Sequence, residues 1–151
     1  MLSRSASGRF LAVPVVLGVL AAAGLGVSSY LTATHWGDKE IACAGVGDCN
    51  YVNSSAYATI GDVPVSLLGV LLYLGLLGSA LAWALRPGDD RVPVLYWGLA
   101  VAGVGYAAYL TYVELFVIEA ICVWCVVSAV ILTSSLLVAT AHLLVEPEPA
   151  R

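Results

Sequence analysis

Four long stretches of this chain, at residues 10–34, 63–85, 92–113 and 120–145, contain no Asp, Glu, Lys or Arg. Each exceeds the roughly 20 residues a helix needs to cross a hydrocarbon core of about 30 Å. Lipid offers no hydrogen-bond partners, so a backbone there must satisfy itself, and each stretch is expected to be a helix. Of the 151 residues 61% are hydrophobic and only 11% charged, with a net charge of −4. Those values exclude a basic nucleic-acid-binding surface and a disordered chain. The expected fold class is an all-α membrane protein: a bundle of four transmembrane helices in a lipid bilayer, forming one domain over residues 1–151.

The first stretch is longer than the 7–15 apolar residues of a signal-peptide core, so it reads as an uncleaved span. Gly18, Ala22 and Gly26 recur at four-residue spacing along it. Such small residues let helices approach closely, and contact within the bundle is expected in preference to dimerisation. Orientation follows from the basic residues. With the N-terminus inside, Arg4, Arg9, Arg86, Arg91 and Arg151 are cytoplasmic and only Lys39 lies outside. Both termini are then cytoplasmic, and the long first loop, from His35 to Asp62, is extracytoplasmic.

Within that loop Val52, Ala56 and Ile60 have helical spacing, which predicts a short amphipathic helix over 50–60. Gly61 is expected to end it. Asp62 is expected to cap the second span, with Pro64 in the first turn. The connection 86–91 reads as a tight turn, and a short outer loop runs from Glu114 to Glu119. His35 and His142 fall at opposite ends of the molecule, so they cannot share a metal.

All four cysteines fall on the outer side of this topology, where disulfides persist. Cys43 and Cys49 lie in the long loop; Cys122 and Cys125 form a C-x-x-C at the start of the last span. Positions i and i+3 share a helix face, at a separation that suits a disulfide. The helical rise puts Cys125 about 4.5 Å deeper than Cys122. Cys122 is therefore expected to face the surface and Cys125 the bundle interior. A helix N-terminus favours a thiolate at such a position. Two inert staples are the plain alternative, but a staple of so short a loop constrains the unfolded chain little. A four-cysteine zinc site would leave a charged centre beside lipid with no evident role, so no metal is expected.

These motifs resemble the vitamin K epoxide reductase family, in particular its small bacterial members without a fused thioredoxin domain. The resemblance rests on the cysteine pair after the first span, Ser55 six residues beyond Cys49, Gly61-Asp-Val-Pro64-Val-Ser-Leu-Leu-Gly69 leading to Tyr73, and Cys122-Val-Trp-Cys125 opening the last span. It implies a four-helix bundle around a quinone, with Cys43, Cys49, Cys122 and Cys125 as the catalytic thiols. A thioredoxin-like or DsbA-like extracytoplasmic protein would be oxidised by Cys43–Cys49. Cys49 would then attack Cys122, and Cys125 would reduce menaquinone or ubiquinone.

Vertebrate members carry an amide and a tyrosine, which hydrogen-bond the quinone, where this chain has Val65 and Ala129. That departure favours simple quinone reduction over epoxide reduction. Ser66, Ser128, Tyr109, Tyr112 and Trp124 are the candidate quinone contacts, although tyrosine and tryptophan also serve as interfacial anchors. Glu114 and Glu119 are expected to be solvated interface carboxylates, with proton transfer as the alternative reading. The competing functions are a non-enzymatic tetraspan with structural disulfides and a reductase carrying electrons outward; the latter lacks a cytoplasmic cysteine to supply it.

The orientation has a direct test. In reduced intact cells a membrane-impermeant thiol reagent should label Cys43 and should not label a cysteine introduced by Asp89→Cys. Labelling at position 89 would invert the topology.

Overall fold

The computed structural model describes residues 2–145. Arg151 and the acidic tail lie outside the described residues. Helix α1 spans Leu2–Trp36 and α2 is the short Cys49–Ser54. Helices α3 (Val65–Leu85), α4 (Arg91–Val113) and α5 (Val123–Val145) follow. Four helices are long and apolar enough to cross a membrane. The fold is thus an all-α four-helix membrane bundle.

The helices form a ring in chain order: α1 packs on α3 and α5, and α4 packs on the same two. Short connections make this arrangement natural for antiparallel neighbours. The turn between α3 and α4 is closed by Asp89 N–H to the Arg86 carbonyl at 3.1 Å and by Arg91 N–H to Asp89 Oδ1 at 3.1 Å. Pro93 sits in the first turn of α4, where its missing N–H leaves no helical bond unmade.

The core is built from Leu17 and Ala21 of α1, Tyr73, Leu76, Ala80 and Trp83 of α3, Tyr96 and Ala100 of α4, and Leu132 and Ala139 of α5. The inward stripe of α1 therefore differs from the small-residue stripe. Ala22 and Gly26 are exposed on the outside of the bundle, and only Gly18 approaches another helix, at Ala80. The close approach occurs instead at Gly24, where a Cβ would occupy the space of the Tyr73 ring. Outward residues such as Val15, Val19, Leu71, Leu81, Val130 and Leu137 are large and apolar, as a lipid-facing surface requires.

Three local expectations are corrected. The helix expected over 50–60 ends at Ser54. A 3-10 turn at Ala56–Ala58 and a two-residue hairpin, β1 (Thr59–Ile60) on β2 (Val63–Pro64), replace the rest. Gly61 has φ +64 in the hairpin turn, a conformation that costs glycine little. Because β2 runs straight into α3, Pro64 rather than Asp62 is the cap residue of that helix. Lastly, α4 does not stop before Glu114. It continues as one wide π-helical turn through Glu114–Ile118 and ends at Glu119, whose φ is +55. Glu114 is thereby a helix residue, not a loop residue.

Candidate functional site: two cysteine pairs over an apolar cavity

Between α1 and α2 the loop is shaped by left-handed residues at Asp38, Ala44, Gly45 and Gly47. Asp48 caps α2 by accepting Tyr51 N–H at 3.0 Å, and Asn50 Oδ1 accepts Ile41 N–H at 2.7 Å. Cys43 and Cys49 are joined in a disulfide with a Cα separation of 6.0 Å. The two sulfurs differ in setting. Cys49 is fully buried, whereas Cys43 is only half-buried.

The loop folds down onto the start of α5. Asp48 N–H donates to the Ile121 carbonyl at 3.0 Å, and the Trp124 indole N–H donates to the Ala42 carbonyl at 2.8 Å. Tyr30 supports the same segment: its hydroxyl accepts Ala42 N–H at 3.1 Å, and its ring lies 5.3 Å from that of Trp124. Cys49 and Cys122 meet in one buried cluster with Leu31, Ile41 and Val52. Cys122 is 1% exposed, so it does not face the surface as its position along the helix suggests. The loop covers it. Depth along the helix sets exposure only where nothing packs over the helix end.

Cys122 occupies the N-cap position of α5; its carbonyl accepts Val126 N–H at 3.1 Å. Cys122 and Cys125 are both free thiols. The N–H groups of Trp124 and Cys125 in the first turn of α5 face the Cys122 thiol. These are the helix N-terminal donors that favour an anion. Glu114, read from the sequence as a solvated carboxylate, is 5% exposed. Its Oε2 accepts Cys122 N–H at 3.1 Å.

Beneath the thiols lies a cavity of about 330 Å³. Its walls are apolar side chains of α3, α4 and α5, including Leu72, Leu110 and Leu132, and both Cys122 and Cys125 open onto it. Ser66 and Ser128 line it. Ser66 Oγ is 3.0 Å from Thr32 Oγ1, and Ser128 Oγ is 2.8 Å from the Tyr73 hydroxyl. Val65 also contributes to the wall. Tyr109, Tyr112 and Trp124 lie elsewhere. Tyr109 and Tyr112 are 51% and 57% exposed on the outer face of α4, and Trp124 is held by the loop. The polar residues that do line the cavity include three to which the sequence assigned no contact: Tyr73, Tyr106 and Asn53. Tyr73 carried a signal, as the end of the motif that starts at Gly61. Tyr106 carried none, since one helical turn from Tyr109 only packing decides which ring faces inward.

The vitamin K epoxide reductase family model matches residues 15–140, a segment that includes every residue of this site. The chain belongs to the vitamin K epoxide reductase family. It is accordingly a membrane oxidoreductase, and the Cys43–Cys49 disulfide beside two thiols fits the disulfide chemistry of that family.

Gly47 is where the docked loop comes closest to the backbone ahead of α5. Its φ is +73, and a Cβ there would run into the Ile121 carbonyl. Gly45 has a similar φ of +76 but meets nothing within 4 Å. Gly47→Ala should lift the loop and raise the alkylation rate of Cys122 at least about ten-fold, equivalent to ~1.4 kcal/mol. Gly45→Ala should change it far less. Quantitative mass spectrometry of reduced protein measures both, and equal effects would refute the docking geometry.

Proposed function

We propose that the protein is a quinone-dependent, disulfide-generating thiol oxidoreductase. It accepts electrons from a thioredoxin-like or DsbA-like extracytoplasmic protein and delivers them to menaquinone or ubiquinone in the membrane. One observation carries this reading: the loop disulfide has one half-buried sulfur, at Cys43, and one buried in the same cluster as Cys122.

Thiol–disulfide exchange proceeds through mixed disulfides, so each sulfur must meet the next. A partner thiolate attacks Cys43 Sγ and the Cys49 thiolate leaves. The partner's second thiol then resolves that mixed disulfide, leaving the partner oxidised and Cys43 reduced. Cys49 attacks Cys122 of an oxidised Cys122–Cys125 pair, and Cys125 leaves as the thiolate. Cys43 attacks Cys49, restoring the loop disulfide and freeing Cys122. Two electrons have then moved from the partner to the inner pair.

The cavity suits a quinone by its chemistry: apolar walls for a ring, with Ser66, Ser128, Tyr73 and Tyr106 as hydroxyl donors for carbonyl oxygens. A bound quinone supplies a two-electron, two-proton acceptor. Cys125 opens onto the same space and is the group proposed to face it. Val65, an apolar wall residue, offers no hydrogen bond where an amide stands in vertebrate members, which supports quinone rather than epoxide reduction. All four cysteines share an end of the bundle with Lys39, opposite the turn bearing Arg86 and Arg91. On the positive-inside rule that end is extracytoplasmic, with both termini cytoplasmic.

The two pairs should be separable by electron donor. With a small membrane-permeant dithiol, Cys43→Ala/Cys49→Ala protein should still form quinol from a soluble quinone analogue, as followed by absorbance. Cys125→Ala should form none with either the dithiol or a reduced protein donor. Substantial quinol formation by Cys125→Ala would overturn the order of transfer.

A further inference from the structure

The family's thiol relay accounts for the electrons but leaves a buried carboxyl unexplained. Glu114 sits in the π-helical turn that prolongs α4, with its side chain turned inward to the start of α5. It holds Cys122 directly, accepting its N–H at 3.1 Å, and shares the wall of one cavity with the Cys125 thiol. It also lines the apolar cavity. The other titratable groups lining that cavity are the two thiols and the hydroxyls of Tyr57, Tyr73 and Tyr106. Among the described residues no Lys, Arg or His lines it to balance a negative charge. From α1 and α2, the cavity is lined only by the uncharged Ser28, Leu31, Val52 and Asn53.

Two thiols and a carboxyl thus share a mainly apolar site that no Lys, Arg or His lines among the described residues. Two adjacent anions there are costly, so the charge on one group keeps a proton on another. Ionisable groups at membrane depth commonly belong to proton paths. A role confined to capping Cys122 N–H would not need a carboxylate, because an amide accepts the same bond.

We propose that Glu114 is the catalytic proton carrier of the inner cysteine pair, taking the proton from the Cys125 thiol and delivering it toward the cavity. Oxidation of the pair breaks two S–H bonds, forms one S–S bond and releases two electrons and two protons. The electrons go to a quinone, on the functional reading above. The Cys125 proton moves to a Glu114 carboxyl oxygen, breaking S–H and forming O–H, and leaves from there to the reduced acceptor; the Cys122 proton goes to the same acceptor as that S–H bond breaks ahead of S–S formation, so the acceptor gains two electrons and two protons. Glu114 and Cys125 both line the cavity in which the proton is consumed.

Glu114→Gln isolates the proton from the hydrogen bond, since glutamine still accepts Cys122 N–H. Two readouts should move in opposite directions. Removing the negative charge should shift the alkylation profile of reduced Cys122 and Cys125 to lower pH. Quinol formation from the dithiol donor should nevertheless fall by about 10²-fold, in the range of general acid–base contributions, and should recover in part as pH rises. Glu114→Asp should retain more activity than Glu114→Gln. A variant with the alkylation shift but wild-type turnover would reduce Glu114 to an electrostatic neighbour and overturn the proposal.

A third readout requires no quinone. The infrared difference spectrum between chemically reduced and oxidised Cys122–Cys125 should contain a protonated-carboxyl C=O band that Glu114→Gln abolishes. Absence of that band from the wild-type protein overturns the carrier role whether or not quinone is reduced. The band without quinol formation from any quinone would instead retire the quinone reading and leave Glu114 as the proton carrier for thiol oxidation.

Discussion

The contact on which the site depends is the seating of the 37–48 loop against the first residues of α5. Two hydrogen bonds hold it, Asp48 N–H to the Ile121 carbonyl and the Trp124 indole N–H to the Ala42 carbonyl. They are backed by the burial of Cys49 against Cys122. Burying the apolar cluster around those sulfurs contributes the sequence-independent part of the stabilisation, and the two bonds fix the register. Without that seating the two cysteine pairs would be independent features of one membrane bundle. With it, the buried Cys49 and Cys122 share one apolar cluster, with the half-buried Cys43 and Cys125 packed against it.

The bilayer sets the terms for everything below that line. Helices that are apolar on all sides gain little from packing on one another compared with lipid, so close approach and a few polar contacts must specify the bundle. Gly24 against the Tyr73 ring is such an approach, and the Tyr73 hydroxyl then reaches Ser128 on α5. The same few groups shape the cavity. The Tyr73 and Ser128 hydroxyls that line it bond each other, and Ser66 meets Thr32 of α1.

The spans, their number and the grouping of the cysteines were legible in the sequence because lipid imposes a length and excludes charge. Which face of each helix turns inward was not. The apolar residues surround each helix, and the evident stripe of Gly18, Ala22 and Gly26 lies a turn-fraction away from the buried line of Leu17, Ala21, Gly24 and Ser28. Tyr109 and Tyr106 illustrate the same ambiguity at the cavity. Local pattern also failed where tertiary contact prevailed. The helical spacing of Val52, Ala56 and Ile60 yielded to a hairpin that leaves Ile60 57% exposed. Glu114 looked like an interface carboxylate because it borders an apolar stretch, and only the inward π-helical turn shows it to be buried beside the thiols.

The central claim is that the loop pair and the inner pair exchange through Cys49 and Cys122. Peptide mapping of a Cys43→Ala variant under non-reducing conditions tests it most directly, because Cys43 is the thiol proposed to resolve the exchange. A peptide joining Cys49 to Cys122 is the predicted product. An intact Cys122–Cys125 disulfide with Cys49 left as a free thiol would contradict the account.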